Sequence, residues 1–213
     1  MNTLYYIHDP MCSWCWGFRP VWQVTRQALR EYYGDCLQIC GVLGGLAPDS
    51  SEPMPAQTRD YVQANWRRIQ EVIPGTQFNY DFWQQCQPRR STYPACRAVI
   101  AAVSISPEAE WDMIEAIQRA YYLEASNPSD EPILRQCAKA IGLDGQQFIE
   151  RLHSDSTQES LEQHLALYQQ FALKAGVSGF PSLVLVTASG ANVIPVDYHD
   201  CEVIVRAVHQ ALA

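Results

Sequence analysis

No run of apolar residues in this 213-residue chain approaches the roughly 18 needed to span a bilayer. Positive charge is also short: 15 Lys and Arg stand against 23 Asp and Glu, a formal net charge of −8. That balance disfavours nucleic acid and an anionic membrane surface as partners. The opening MNTLYYIHDP has neither a basic n-region nor a long apolar h-region, so it does not read as a signal peptide and a cytoplasmic chain is expected. There is no internal repeat and no low-complexity tract. Of 8 cysteines, only Cys12 and Cys15 form a C-x-x-C pair. A closed zinc site draws four ligands, usually from two such pairs; with His8 as the only further ligand nearby, no metal is expected.

What is present is enough for a sizeable core. Hydrophobic residues make up 47% and charged residues 18%, so neither disorder nor a disulfide scaffold need be invoked. Cys36, Cys40, Cys86, Cys96, Cys137 and Cys201 then read mainly as small buried hydrophobes, reduced in a cytosolic chain. Charge is unevenly spread. Residues 1–45 balance Arg19, Arg26 and Arg30 against Asp9, Glu31 and Asp35, while residues 46–176 hold eleven basic and seventeen acidic side chains. A near-neutral leading end suits docking of varied partners; a solvated acidic middle serves solubility equally well.

Three blocks emerge. Residues 1–45 read strand, helix, strand: TLYYI, a turn at HDPM, a helix closing near Gly34, then LQICGVL over 37–43, stopped by Gly44 and Gly45. That spacing predicts a right-handed βαβ unit with parallel strands. Residues 178–213 read as a β-hairpin and a helix: PSLVLV, a turn at TASGAN, VIPV with Pro195 on an edge strand. A helix capped by Asp200 follows, with Val203, Ile204, Ala207, Val208, Ala211 and Leu212 on one face. Between them, 46–177 is a helical insertion whose leading loop is LAPDSSEPMP. Its helix starts are STYP, SPE at 106–108, SDEP, and a capping box of Ser156 with Glu159. The last of its helices carries an apolar stripe of Leu161, Leu165, Tyr168, Phe171, Ala172 and Ala175.

The stretch DPMCSWCWGF, directly after the first strand, puts Cys12 at the first turn of a helix. Unpaired amides and the positive end of the helix dipole favour a thiolate there. Cys15 lies one turn on, on the same face, placed to resolve a mixed disulfide while less exposed and less ionised. A permanent structural disulfide fits poorly, because so short a loop gains little chain entropy. A C-x-x-C beside a βαβ pattern is a cytosolic redox signal. Trp14, Trp16, Phe18 and Trp22 cluster nearby; Trp14, between the cysteines, is expected exposed as a docking surface for extended polypeptide, whereas Phe18 and Trp22 suit the core. His8, Asp9 and Ser13 are candidates for tuning the sulfurs or relaying a proton, against the simpler role of His8 as a strand-end residue. Trp66, Tyr80 and Trp83 fit either a substrate groove or a helical core.

Two prolines sharpen the motif. Pro20 lies five residues past Cys15 inside the helix and is expected to kink it, and Pro181 in GVSGFPSLVL opens the strand after the helical block. With these features the chain resembles the DsbA family of thiol–disulfide oxidoreductases. It is most similar to the FrnE-like and cytoplasmic disulfide-isomerase branch, through Asp9-Pro10 before the pair and Trp16-Gly17 after it. The segments STYPACRAVIAA, RAYYLEASNPSDEPILRQCAKAIGLD and FALKAGVSGFPSLVL extend the likeness over almost the whole chain. The resemblance implies an α/β, thioredoxin-like fold (βαβ … ββα) with a large helical insertion. It implies Cys12 as nucleophile, Cys15 as resolving cysteine, Pro181 as a cis-proline whose loop binds substrate and Phe180 as its neighbour; Trp14 joins them as a substrate contact on its position alone. Ser13 and Trp14 stand where the periplasmic oxidant of the family has Pro and His, so one cationic stabiliser of the reduced form is missing and a less oxidising couple is expected.

The expected function is thiol–disulfide exchange or isomerisation on protein or small-molecule disulfides. A cellular thiol reductant is the expected recycling partner; no bound cofactor is required, and glutathione is the candidate cosubstrate. Two other classes compete. Kappa glutathione transferases and 2-hydroxychromene-2-carboxylate isomerases share the insertion architecture, but typically carry serine where Cys12 stands. A non-enzymatic peptide- or metal-binding module is the other.

Overall fold

The computed structural model describes residues 2–213. Strand β1 (Asn2–His8) carries the β-branched and aromatic residues of NTLYYIH, and helix α1 (Ser13–Tyr33) follows after a four-residue turn. Strand β2 (Leu37–Leu43) lies parallel to β1, from Asn2 opposite Leu37 to His8 opposite Leu43. Strands β3 (Ser182–Thr187) and β4 (Gly190–Ile194) close the sheet in the order β2-β1-β3-β4, with β3 antiparallel to β1 and β4 antiparallel to β3. Helix α9 (Cys201–Leu212) completes the β-α-β … β-β-α frame, capped by the Asp200 carboxylate, which accepts from the Glu202 amide at 2.9 Å.

Side chains alternate along β1 and build two apolar layers. Ile7 joins Val42 and Val184 against Phe171 and Val177, with Tyr5, Leu167, Tyr168 and Ala175 packed around them. Tyr6, one residue out of phase, stacks on Trp22 of α1 at 4.6 Å. Helix α1 runs unbroken through Pro20, with Cys15, Trp16, Phe18, Trp22, Thr25 and Leu29 on its buried face. Gly34 ends it at φ 51°, a conformation glycine adopts without a Cβ penalty.

The chain divides into two compact units: residues up to Gly44 together with His164–Ala213, and Gly45–Gln163. The second contains α2 (Ala56–Val72), α3 (Phe82–Gln85), α4 (Tyr93–Ile105), α5 (Glu110–Tyr122), α6 (Glu131–Ala140), α7 (Gly145–Leu152) and the start of α8 (Asp155–Ala175). The return to the first unit comes at His164, within α8. The reason lies in the second half of α8, where Leu167, Tyr168 and Phe171 belong to the sheet's apolar layer. In the helical unit Trp66 is fully buried and ringed by Phe78 (4.8 Å), Trp83 (4.9 Å), Tyr122 (5.5 Å), Tyr80 and Tyr121 (both 5.6 Å). These aromatics are a helical core. The leading loop is held by a bidentate Arg97–Asp49 ion pair at 2.6 and 2.8 Å and by the Ala47 amide donating to Thr92 at 3.1 Å.

Three local expectations need correction. The hairpin turn is only Ala188-Ser189, and β4 begins at Gly190 and ends before Pro195; Gly190, at φ 132°, lets the chain reverse sooner than TASGAN suggests. Helix α8 starts at Asp155, with the Ser154 hydroxyl accepting from the Thr157 amide at 3.3 Å, so Ser156 and Glu159 lie inside the helix. Cys36 is exposed and closes a 3-10 turn at Gly34–Cys36, so it is not a buried hydrophobe. Among the described residues no helix is long and apolar enough to cross a membrane.

The revised start of α8 is directly testable. Ser154→Ala is expected to lower the unfolding free energy by about 1 kcal/mol, and Ser156→Ala by less than about 0.5 kcal/mol. Urea midpoints of the two variants decide which serine caps the helix.

Candidate functional site

The turn between β1 and α1 sets the position of the two sulfurs. The buried Asp9 carboxylate accepts from the Met11 amide at 2.7 Å, and the Asp9 carbonyl accepts from the Cys12 amide at 3.0 Å. Cys12 is thereby the N-cap of α1, its sulfur accepting from the Cys15 amide at 3.4 Å. The Cys12 thiol donates to the Phe180 carbonyl at 3.6 Å. Cys12 retains 5% exposure and Cys15 none, and both are free thiols. Both residues are buried, Cys15 completely. Burial pushes the Cys15 pKa well above the usual thiol range, with its bond to Cys12 and the Cys12 charge acting in the same direction.

Phe180 and Pro181 arrive beside the pair through the β1–β3 register. Ser182 stands opposite Ile7, so the two residues before it fall next to the turn that holds Cys12. The Phe180–Pro181 bond is cis. Phe180 offers its carbonyl to Cys12, while its ring sits on Gly44 and 4.9 Å from Tyr168. A Cβ at Gly44 would stand 2.0 Å from that ring, so glycine is what allows the approach.

Trp14 is half-buried, less open than expected, because its ring meets the edge of Tyr198 at 5.5 Å. Tyr198 also touches Phe18 at 5.7 Å. Trp16 is buried, with the Arg19 guanidinium 4.7 Å above its ring. Ser13 opens α1 in a half-buried position. His8 is 1% exposed and stacks on Tyr6 at 4.6 Å. Burial and the neighbouring His164 lower its pKa to about 3, so it is a neutral ring at physiological pH and not a cationic tuner.

Two tyrosines at this site escaped the sequence reading. Tyr6 hydrogen-bonds to the Cys15 sulfur, and burial, then the charges of Cys15 and Cys12, raise its pKa well above the usual phenol value. Burial likewise raises Tyr198, again with help from both cysteines. Tyr6 looked like one of several strand aromatics, and Tyr198 lies in an irregular segment without a motif; nothing local marks either. Among the described residues no group of three or more His, Cys, Asp or Glu side chains is placed to hold a metal ion. A cavity of about 410 Å³ between α5 and α6 contains Cys137 but none of the predicted site residues.

Residues 5–205 match the family model described as Thioredoxin, and the chain belongs to that family. Two solved structures are similar to it over nearly their whole length. A proposed protein disulfide isomerase from Nitrosomonas europaea superposes with a TM-score of 0.80 at 28% identity, over 99% of this chain and 97% of that one. The cytosolic disulfide reductase DsbM from Pseudomonas aeruginosa superposes at 0.76 and 25% identity, over 99% and 100%. The ClpXP adapter protein SpxH of Halalkalibacterium halodurans is 28% identical over 158 residues, 74% of this chain and 51% of the adapter. The chain thus spans about half the length of the curated relatives it matches.

The low His8 pKa has a consequence for stability. Below about pH 6.5 the unfolded chain binds a proton at His8 that the folded chain refuses until about 3. The unfolded state binds more protons throughout that window, so stability falls as pH drops through it, by at most about 1.4 kcal/mol per pH unit from this group. His8→Gln should flatten the slope between about pH 6.5 and 4. Urea unfolding of both proteins across that range measures the difference, and parallel slopes would refute it.

Proposed function

We propose that the chain is a thiol–disulfide oxidoreductase that reduces or isomerises disulfides of proteins and small thiols in a reducing, cytosolic setting. The observation that carries this reading is the Cys12 sulfur, which caps α1, accepts the Cys15 amide and lies against the Phe180 carbonyl. The disulfide-handling solved neighbours support the same class.

In this reading Cys12 attacks a substrate disulfide. One substrate sulfur leaves with the electron pair and the other stays bonded to Cys12. The amide aimed at the Cys12 sulfur suits a group that gains negative charge as it attacks. An extended substrate lies along the Phe180–Pro181 backbone, with the Trp14–Tyr198 ring pair as an apolar flank. Cys15 then displaces the second sulfur and leaves a Cys12–Cys15 disulfide. In isomerisation a thiol of the substrate itself makes that displacement. No bound cofactor takes part, and a cellular thiol such as glutathione restores the dithiol.

Cys15→Ser is expected to trap mixed disulfides with substrate proteins, seen as adducts that dithiothreitol releases. Cys12→Ser should trap none and lose turnover about a thousandfold or more. Adducts with glutathione alone would favour a glutathione-dependent transferase or isomerase, and no adduct at all would favour a binding module.

Without a cation between the cysteines, the couple should be less oxidising than a strong periplasmic oxidant at about −120 mV. A value within about −180 to −270 mV is expected. Equilibration against glutathione redox buffers measures it; a value near the strong-oxidant end would sink this part of the reading.

A further inference from the structure

Cys15 raises a chemical difficulty that the proposed exchange must solve. It has no solvent exposure, and burial disfavours its anion, yet in the exchange it has to act as a nucleophile. A buried sulfur acquiring charge needs a donor already in place, because no water can turn towards it.

The main chain supplies one such donor, the Asp9 amide, and Tyr6 supplies the side-chain donor. Its ring is 3% exposed, stacked with His8 at 4.6 Å and 7° and with Trp22 at 4.6 Å and 25°, while Phe18 lies tilted at 6.0 Å. Three rings therefore fix the direction of the phenol, and its hydroxyl reaches the Cys15 sulfur. Position 6 is also set by the sheet: Tyr6 pairs with Gly41 on one side and Leu183 on the other, so the residue has no freedom to slide along the strand. The same burial that isolates Cys15 keeps the phenol protonated, so it serves as a donor and not as a base.

We infer that Tyr6 is a catalytic residue of the resolving step, its hydroxyl donating to the Cys15 sulfur as that sulfur attacks Cys12. The inference rests on the oxidoreductase reading above and adds a residue to it. In the step, the Cys15 sulfur bonds to the Cys12 sulfur and the bond from Cys12 to the substrate sulfur breaks. The departing sulfur takes the electron pair and finally the proton that Cys15 gives up. Over the whole exchange the protein dithiol is oxidised by two electrons and the substrate disulfide becomes two thiols. Attack by Cys12 does not involve this hydroxyl, so the two steps should respond differently to its loss.

Tyr6→Phe keeps the ring in its stack and removes only the donor. The reduced full-length protein is mixed with glutathione disulfide, quenched with acid at intervals and digested. Mass spectrometry then follows the Cys12–glutathione and Cys12–Cys15 species on the same molecules. The expected result is an unchanged rate of first attack and a closing step slowed about tenfold or more, so that the Cys12–glutathione species accumulates. Trp22→Phe, which keeps the hydroxyl but loosens the stack that aims it, should slow the closing step less than Tyr6→Phe does. An unchanged closing rate in Tyr6→Phe overturns the inference. So does an equal fall in both steps, since loss of folded protein lowers them together. If wild-type protein forms neither species, the oxidoreductase reading itself has failed, an outcome distinct from the other two.

Discussion

A cysteine sulfur at the leading end of a helix, held by a backbone amide and facing a backbone carbonyl, is the constraint from which the rest of this site follows. Cys12 can cap α1 only because β1 ends at His8 and the Asp9 turn redirects the chain within four residues, its carboxylate and carbonyl both spent on local amides. The carbonyl opposite is supplied from 168 residues further along the chain. Antiparallel pairing of β3 with β1 brings it there by register. A slip of one residue would turn Val184 out of the apolar layer it shares with Ile7 and Val42. The core packing that stabilises the sheet therefore also fixes where the second half of the site arrives.

Burial divides the work between the two sulfurs. Cys12 lies between a main-chain amide and a main-chain carbonyl, and the fully buried Cys15 lies against the Tyr6 phenol. In the proposed exchange this asymmetry sets the order, with an external disulfide meeting Cys12 before Cys15 takes part. It also explains the concentration of aromatics between β1 and α1. Tyr6, Phe18, Trp22 and Tyr198 pack ring against ring there, and Tyr6 hydrogen-bonds to the buried Cys15 sulfur.

Much of the frame was legible in the sequence, and for identifiable reasons. The strand–helix–strand opening, β2 at its observed limits, the Asp200 cap and the C-x-x-C at a helix start are short-range features written in adjacent residues. Pro181 was singled out only through resemblance, because a single proline before a strand says nothing about its isomer. Long-range facts were missed. Nothing near Tyr198 announces that it closes over Trp14, and the strand context of Tyr6 hides its bond to Cys15. The sequence of α8 carries no break at His164, where the chain returns to the first unit inside one continuous helix. Ser156 and Glu159 had the right spacing for a cap, but Ser154, two residues earlier, captured the amide first.

The seating of Phe180 on Gly44 links two places that topology keeps apart. Gly44 is where the chain leaves β2, its amide anchored to the His8 carbonyl at 2.8 Å, and the Phe180 ring fills the space a side chain there would need. The ring acts as a wedge between the end of one strand and the loop before another. The residue whose ring fills that space is also the one whose carbonyl faces Cys12, so a single residue spans the gap between the end of β2 and the sulfur.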